Sequence, residues 1–170
     1  MQRSYRYIGS EDLANFRSER QCVLQPQDVL SWIGKTAQRL ENHTIVATFV
    51  IDVAGALWIA DRRSEHVACA AGRRVLSAGE MTFAVDHKDV SVTEVTNQSL
   101  GYCPEPESWP AVADALARAG IPSPTGFTCA YTIRLCETCG TKNIIKDGVY
   151  ECGVCESVLS AEWNLDPSRT

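Results

Sequence analysis

No run of about 18 apolar residues occurs anywhere in this 170-residue chain, so no segment reads as a membrane-spanning helix. A basic-then-apolar leader is also missing: MQRSYRYIGSEDLANFRSER alternates charged and polar residues, and the expectation is a soluble, unexported, cytoplasmic protein. Clustered positive charge is scarce. With 16 Lys and Arg against 21 Asp and Glu the formal charge is −5, which argues against nucleic acid as the main partner, because phosphate contacts need grouped cations. Repeats of solenoid length and low-complexity tracts are absent. So are the nucleophile elbow, the phosphate loop and the HExxH helix, which leaves no familiar catalytic motif.

What is present is apolar content sufficient for a core, 45% of residues, and eight cysteines in an uneven distribution. Four stand alone, Cys22, Cys69, Cys103 and Cys129, and read as structural thiols of a reducing compartment. The other four fall in CETC and CGVC near the C-terminus, and that clustering favours metal over disulfides.

Residues 1–24 have no clear period and read as an arm. In QPQDVLSWIGKTAQRLEN, Pro26 suits a helix start, and Val29, Trp32, Ile33, Ala37 and Leu40 form one apolar stripe, predicting a helix of about four turns. TIVATFVID, ALWIADRR, VACA, RRVL, GEMTFAV and VSVTEVT then read as strands. The turns between them are expected at Ala54-Gly55, Ala71-Gly72, Ala78-Gly79 and Asp86–Asp89. A second helix is expected from Ser108 as N-cap to Gly120 as a left-handed C-cap. Residues 121–131 read as a linker into a strand, YTIRL.

Cys136 and Cys139 are separated by twelve residues from Cys152 and Cys155. Each two-residue gap lets a tight turn aim two thiolates at one ion, and the Asp147-Gly148 dipeptide between the pairs marks a hairpin. Pair, hairpin, pair is a zinc ribbon layout. Four cysteine ligands leave no open coordination position, so one structural Zn²⁺ is expected, with a redox dithiol or an iron–sulfur centre as the alternatives. The 132–170 segment has four Lys/Arg and six Asp/Glu, and a zinc ion with four thiolates adds −2, so a phosphate backbone would be repelled; the plain reading is that the metal folds a terminus too small to fold alone, and a protein contact is the better functional alternative. Trp163 offers an anchor for a partner or a lid on the ribbon's own core.

The middle of the chain holds candidate chemistry. His66 could serve as a general base or hydrogen-bond donor and Glu80 as a carboxylate partner, with Tyr102 a third candidate beside them. Arg62, Arg63, Arg73 and Arg74 could meet a phosphate or a carboxylate, and Asn97 and Ser99 place polar groups at one strand end. Each also has a structural reading: a histidine satisfied within the fold, a turn-capping carboxylate, solvated arginines, a loop that satisfies its own backbone.

The series His66, AAG (70–72), AGE (78–80), VTEVTNQSLGYCPEPES (92–108) and LARAGI (116–121) resembles a module of plant IQ-motif calmodulin-binding proteins and of uncharacterised bacterial and fungal proteins. The likeness covers about residues 55–121. It departs where that family tends to carry Ser-Gly-His-Tyr, here Ser99, Leu100, Gly101 and Tyr102, and where serines follow the histidine, here Val67 and Ala68. No IQ helix is visible. What the resemblance implies is a relation of fold.

The expectation is an α+β protein: a small antiparallel sheet with two packed helices over residues 1–131, and a zinc ribbon over 132–170. The leading functional reading is a zinc-binding protein-recognition or regulatory module. The alternative is an enzyme acting on a nucleotide-like or ribosyl small molecule around His66 and Glu80, and a nucleic-acid-binding ribbon ranks third.

Overall fold

The structure is a computed structural model that describes residues 2–166. Its centre is a five-stranded antiparallel sheet in the order β1-β3-β2-β4-β5, built from β1 (Arg20–Val23), β2 (Thr44–Asp52), β3 (Leu57–Asp61), β4 (Val75–Asp86) and β5 (Asp89–Val95). The expected α+β architecture is therefore present. Side chains alternate across a strand, and here both faces of the central strands are covered. Phe49, Ile51, Leu57, Ile59, Met81 and Phe83 pack into one core, while Val50, Ala60 and Ala78 pack into another. This two-sided burial explains why TIVATFVID is continuously apolar.

The first core lies under α2 (Pro26–Ile33) and α4 (Trp109–Arg118), which contribute Val29, Trp32, Val112 and Leu116. The second lies under the N-terminal arm, the short α3 (His66–Cys69) and the segment after β5, with Tyr5, Val67, Tyr102 and Trp163 as its larger members. A four-residue helix, α1 (Glu11–Ala14), belongs to that arm.

Three local expectations are corrected. The first helix stops after two turns at Gly34, and the chain beyond it is held by side chains. Thr36 Oγ1 donates to Asp61 Oδ2 at 3.0 Å, and the Gln38 amide donates to Val46 O at 2.9 Å while accepting from Arg62 N at 2.8 Å. VACA is helical, ending in a left-handed Ala71-Gly72 turn. Ala78-Gly79 is not a turn: both residues lie inside β4, which runs unbroken for 12 residues. Gly79 is needed there for close approach, because a Cβ on it would lie 1.9 Å from Thr96 O.

Other expectations are met. The Asp86–Asp89 hairpin joins β4 to β5 with His87 in the left-handed region, and Gly120 has φ +68° after α4. The linker 121–131 runs beside β5: Pro122 O accepts from Val92 N, Thr128 Oγ1 accepts from Val95 N, and Cys129 bridges Thr96 in parallel. Two short strands follow, β6 (Ile133–Leu135) and β7 (Lys142–Ile144), paired antiparallel. No helix among the described residues is long and apolar enough to cross a membrane.

Candidate functional site

Two knuckles built alike bring the four clustered cysteines together. In the first, Gly140 N donates to Cys136 O and Cys136 N to Thr141 O, both at 2.8 Å. In the second, Glu156 N donates to Cys152 O at 3.0 Å and Cys152 N to Ser157 O at 2.9 Å. The fourth residue after each leading cysteine is left-handed, Gly140 at φ +74° and Glu156 at φ +60°; Gly153 is not. Between the knuckles, Asp147 and Gly148 form the expected hairpin tip with positive φ at both positions.

The four Sγ atoms all lie within 4.8 Å of one another, with Cys136–Cys155 at 3.5 Å and Cys139–Cys152 at 3.6 Å. A metal–sulfur distance of about 2.3 Å gives a tetrahedron with edges of about 3.8 Å, so the cluster has the size to hold one ion. Two of its donors are prepared for that role, while at Cys136 the help of the Cys139 amide is outweighed by burial and the neighbouring thiols, which push it up to about 11. Backbone amides of Cys155 and Val154 hold the Cys152 thiol down to about 6, and the Ser157 hydroxyl and amide lower Cys155. Asn143 ties the knuckles together: it donates to Thr141 O at 2.9 Å and to Cys152 Sγ at 3.6 Å, and accepts from Gly153 N at 3.0 Å. Nothing in the cysteine spacing points to Asn143. By contrast, Cys69 and Cys103 are buried thiols pushed up by burial to about 12 and about 11, Cys22 is half-buried, and Cys129 is exposed.

His66 and Glu80 line a common groove of about 460 Å³. The reason is register: Glu80 is paired with Thr48 and lies two residues from Ala78, on the sheet face that α3 covers. His66 Nε2 is 3.0 Å from Gly79 O, so it carries the proton, and burial holds the imidazole below its ordinary pKa. The ring is therefore neutral near pH 7. Glu80 is one-third exposed and lies 3.6 Å from Arg62 Nε.

Beside Glu65, the N-cap of α3, further walls of the groove come from distant segments, among them Tyr7 and Ser10 of the arm, Gln98, and Lys142 of β7. Residues 1–24 carry no period, so the sequence offers no signal for Tyr7 or Ser10. Arg62 and Arg63 line a neighbouring depression of about 580 Å³ with Arg39, and Glu80 borders both cavities.

The other candidates face elsewhere. Arg73 and Arg74 line neither cavity; Arg74 donates to Ser4 Oγ and Ser4 O, and Arg73 O accepts from the buried Tyr102 hydroxyl at 2.8 Å. Asn97 is fully buried, with its amide donating to Pro104 O and Tyr131 O and accepting from Tyr131 N at 2.7–2.8 Å. Ser99 is buried and does not line the groove, although Gln98 and Leu100 on either side of it do, and its hydroxyl has no hydrogen-bond partner among the described residues. Trp163 closes the second core of the sheet domain and not the cysteine unit: it meets Tyr5 edge-on at 5.5 Å, and its Nε1 donates to Cys103 O at 2.9 Å.

No protein-family model, curated protein or solved structure matches this chain. The likeness to the plant calmodulin-binding module therefore stands on its quoted residues alone.

Proposed function

We propose that the protein is a zinc-binding recognition module. Cys136, Cys139, Cys152 and Cys155 hold one Zn²⁺ as thiolates, and the closed coordination sphere makes that ion structural. The carrying observation is the cluster of four sulfurs within 4.8 Å, furnished with amide and hydroxyl donors. Metal binding supplies the folding free energy that a unit with a core of only Cys136, Cys152, Leu159 and two half-buried neighbours lacks. The unit displays Val149, Val154 and Val158, each at least 60% exposed, beside Glu151 and Glu156, a surface suited to a protein partner and unsuited to phosphate.

Metal analysis of the purified chain should return about one zinc per molecule for a single four-ligand site. Cys139→Ser should lower zinc occupancy, and unchanged metal content with unchanged folding would overturn the assignment. For recognition, capture from the native host by the wild type should yield a stoichiometric protein that Val154→Asp/Val158→Asp fails to hold. Equal capture by both would remove this surface from the reading.

A second reading, a small-molecule site that would serve an enzyme on a ribosyl or nucleotide-like substrate, is favoured by one observation: His66 and Glu80 line the same groove. A neutral imidazole and a carboxylate in one cleft can share acid–base work or bind hydroxyl groups. A competing ligand that shifts the His66 ring signals in an NMR titration would support it, and unmoved signals across nucleosides and sugar phosphates would remove it.

A further inference from the structure

The His66 groove does not end at Glu80. On the other side of that carboxylate lies the depression lined by Gln38, Arg39, Glu41, Asp61, Arg62 and Arg63, so Glu80 is the shared wall of two adjoining cavities. The cations in this second cavity are unequal. Arg62 lies near Glu80 at 3.6 Å, whereas no hydrogen bond or ion pair holds the guanidinium of Arg39 or Arg63 among the described residues. Two further carboxylates line this cavity: Asp61 is occupied, accepting from Arg63 N at 2.9 Å and from Thr36 Oγ1 at 3.0 Å, and Glu41 is exposed to solvent. Gln38 is fixed to both neighbouring strands, so the segment that presents Arg39 is held in place.

Resting on the second reading above, we propose that the ligand of the groove is a phosphorylated ribosyl compound whose phosphate seats between Arg39 and Arg63. Three features fit that class. Planar guanidinium forks match phosphate oxygens and strengthen when two converge. Glu80, an acceptor within reach of both cavities, suits ribose hydroxyls. The groove beyond it offers Tyr7, Leu13, Val67 and Leu100 to a flat apolar ring, and its volume of about 460 Å³ falls in the range of small-molecule sites. Lys142 is not the phosphate ligand, because its Nζ donates to Leu100 O at 3.2 Å.

The test compares ADP-ribose with adenosine by calorimetry on the zinc-loaded full chain, for the wild type and Arg39→Ala/Arg63→Ala. Both substituted side chains are exposed, and an unchanged thermal midpoint checks the fold. The expected result is at least about tenfold tighter binding of ADP-ribose than of adenosine, with the double substitution abolishing that advantage and leaving adenosine affinity unaltered. Equal affinity of the two probes, or an advantage that survives the double substitution, overturns the phosphate seat while the groove stands. If neither probe binds, the phosphate seat falls and the groove as a nucleoside site falls with it.

Discussion

Replacing Gly79 with alanine should damage this protein far more than its place in a strand suggests. The added Cβ would lie 1.9 Å from Thr96 O, 2.8 Å from Thr96 C and 3.1 Å from Asn97 Cα, all backbone. Ordinary contact requires about 3.5 Å, so the crossing chain must retreat by about 1.5 Å. That movement breaks the 2.9 Å bond from Thr96 N to Glu80 O and displaces Asn97 from the carbonyls and amide it holds. Overpacking costs about 1–3 kcal/mol, and each lost hydrogen bond adds about 1 kcal/mol, for a total of about 3–5 kcal/mol.

Gly72→Ala is the control. Gly72 has φ +74° but no atom within 4 Å of a new Cβ, so only the left-handed backbone penalty of about 1–2 kcal/mol applies. Urea titrations of the two variants, with slopes of about 1–3 kcal/mol per molar, should separate their midpoints by on the order of 1 M. Coincident midpoints would falsify the close crossing at Gly79.

Three further outcomes are expected. Arg134 and Glu105 form a bidentate pair at 2.8 and 3.1 Å, with side chains only 4% and 12% exposed; Arg134→Leu should cost about 3–5 kcal/mol by stranding a buried charge, and adding Glu105→Leu should recover most of it in a double-mutant cycle. Burial lowers the His66 pKa, so the unfolded chain takes up a proton first as the pH falls below about 6.5. Stability is then fully present above that pH and declines below it, by at most about 1.4 kcal/mol per pH unit, until the native pKa is reached; His66→Gln should flatten this part of a pH series of thermal melts. Removing the metal with a chelator should open residues 136–159 to proteolysis well before the sheet core, and equal protection with and without chelator would contradict a structural ion.

Much of the fold was legible because its signals are local. Period and β-branched density mark the sheet and both helices that share its first core, and two CxxC pairs around an Asp-Gly turn mark the cysteine cluster. The misreadings share a physical origin in long-range contacts. Ala78-Gly79 resembles a turn, yet its glycine answers to a backbone 17 residues away. The apolar stripe through Leu40 resembles a helix, but Thr36 and Gln38 find better partners on β2 and at the end of β3, and Leu40 ends 42% exposed. β1 went unseen because its four residues depend on pairing with β3. At the candidate site, the sequence singles out His66 and Glu80, while Tyr7, Gln98, Arg39 and Lys142 join them only through tertiary packing.

The loop from Asn97 to Glu105 is gripped from two directions. Gly79 admits it against β4, and the cysteine-bearing segment fastens it through Lys142 to Leu100, Trp163 to Cys103 and Arg134 to Glu105. A chain cut after residue 131 would thus leave the Glu105 carboxylate buried without its cation and the Cys103 carbonyl without its donor. With a metal in place the sheet and the cysteine unit should melt in one transition, and a deletion meant to isolate the sheet should instead unlatch the wall of its groove.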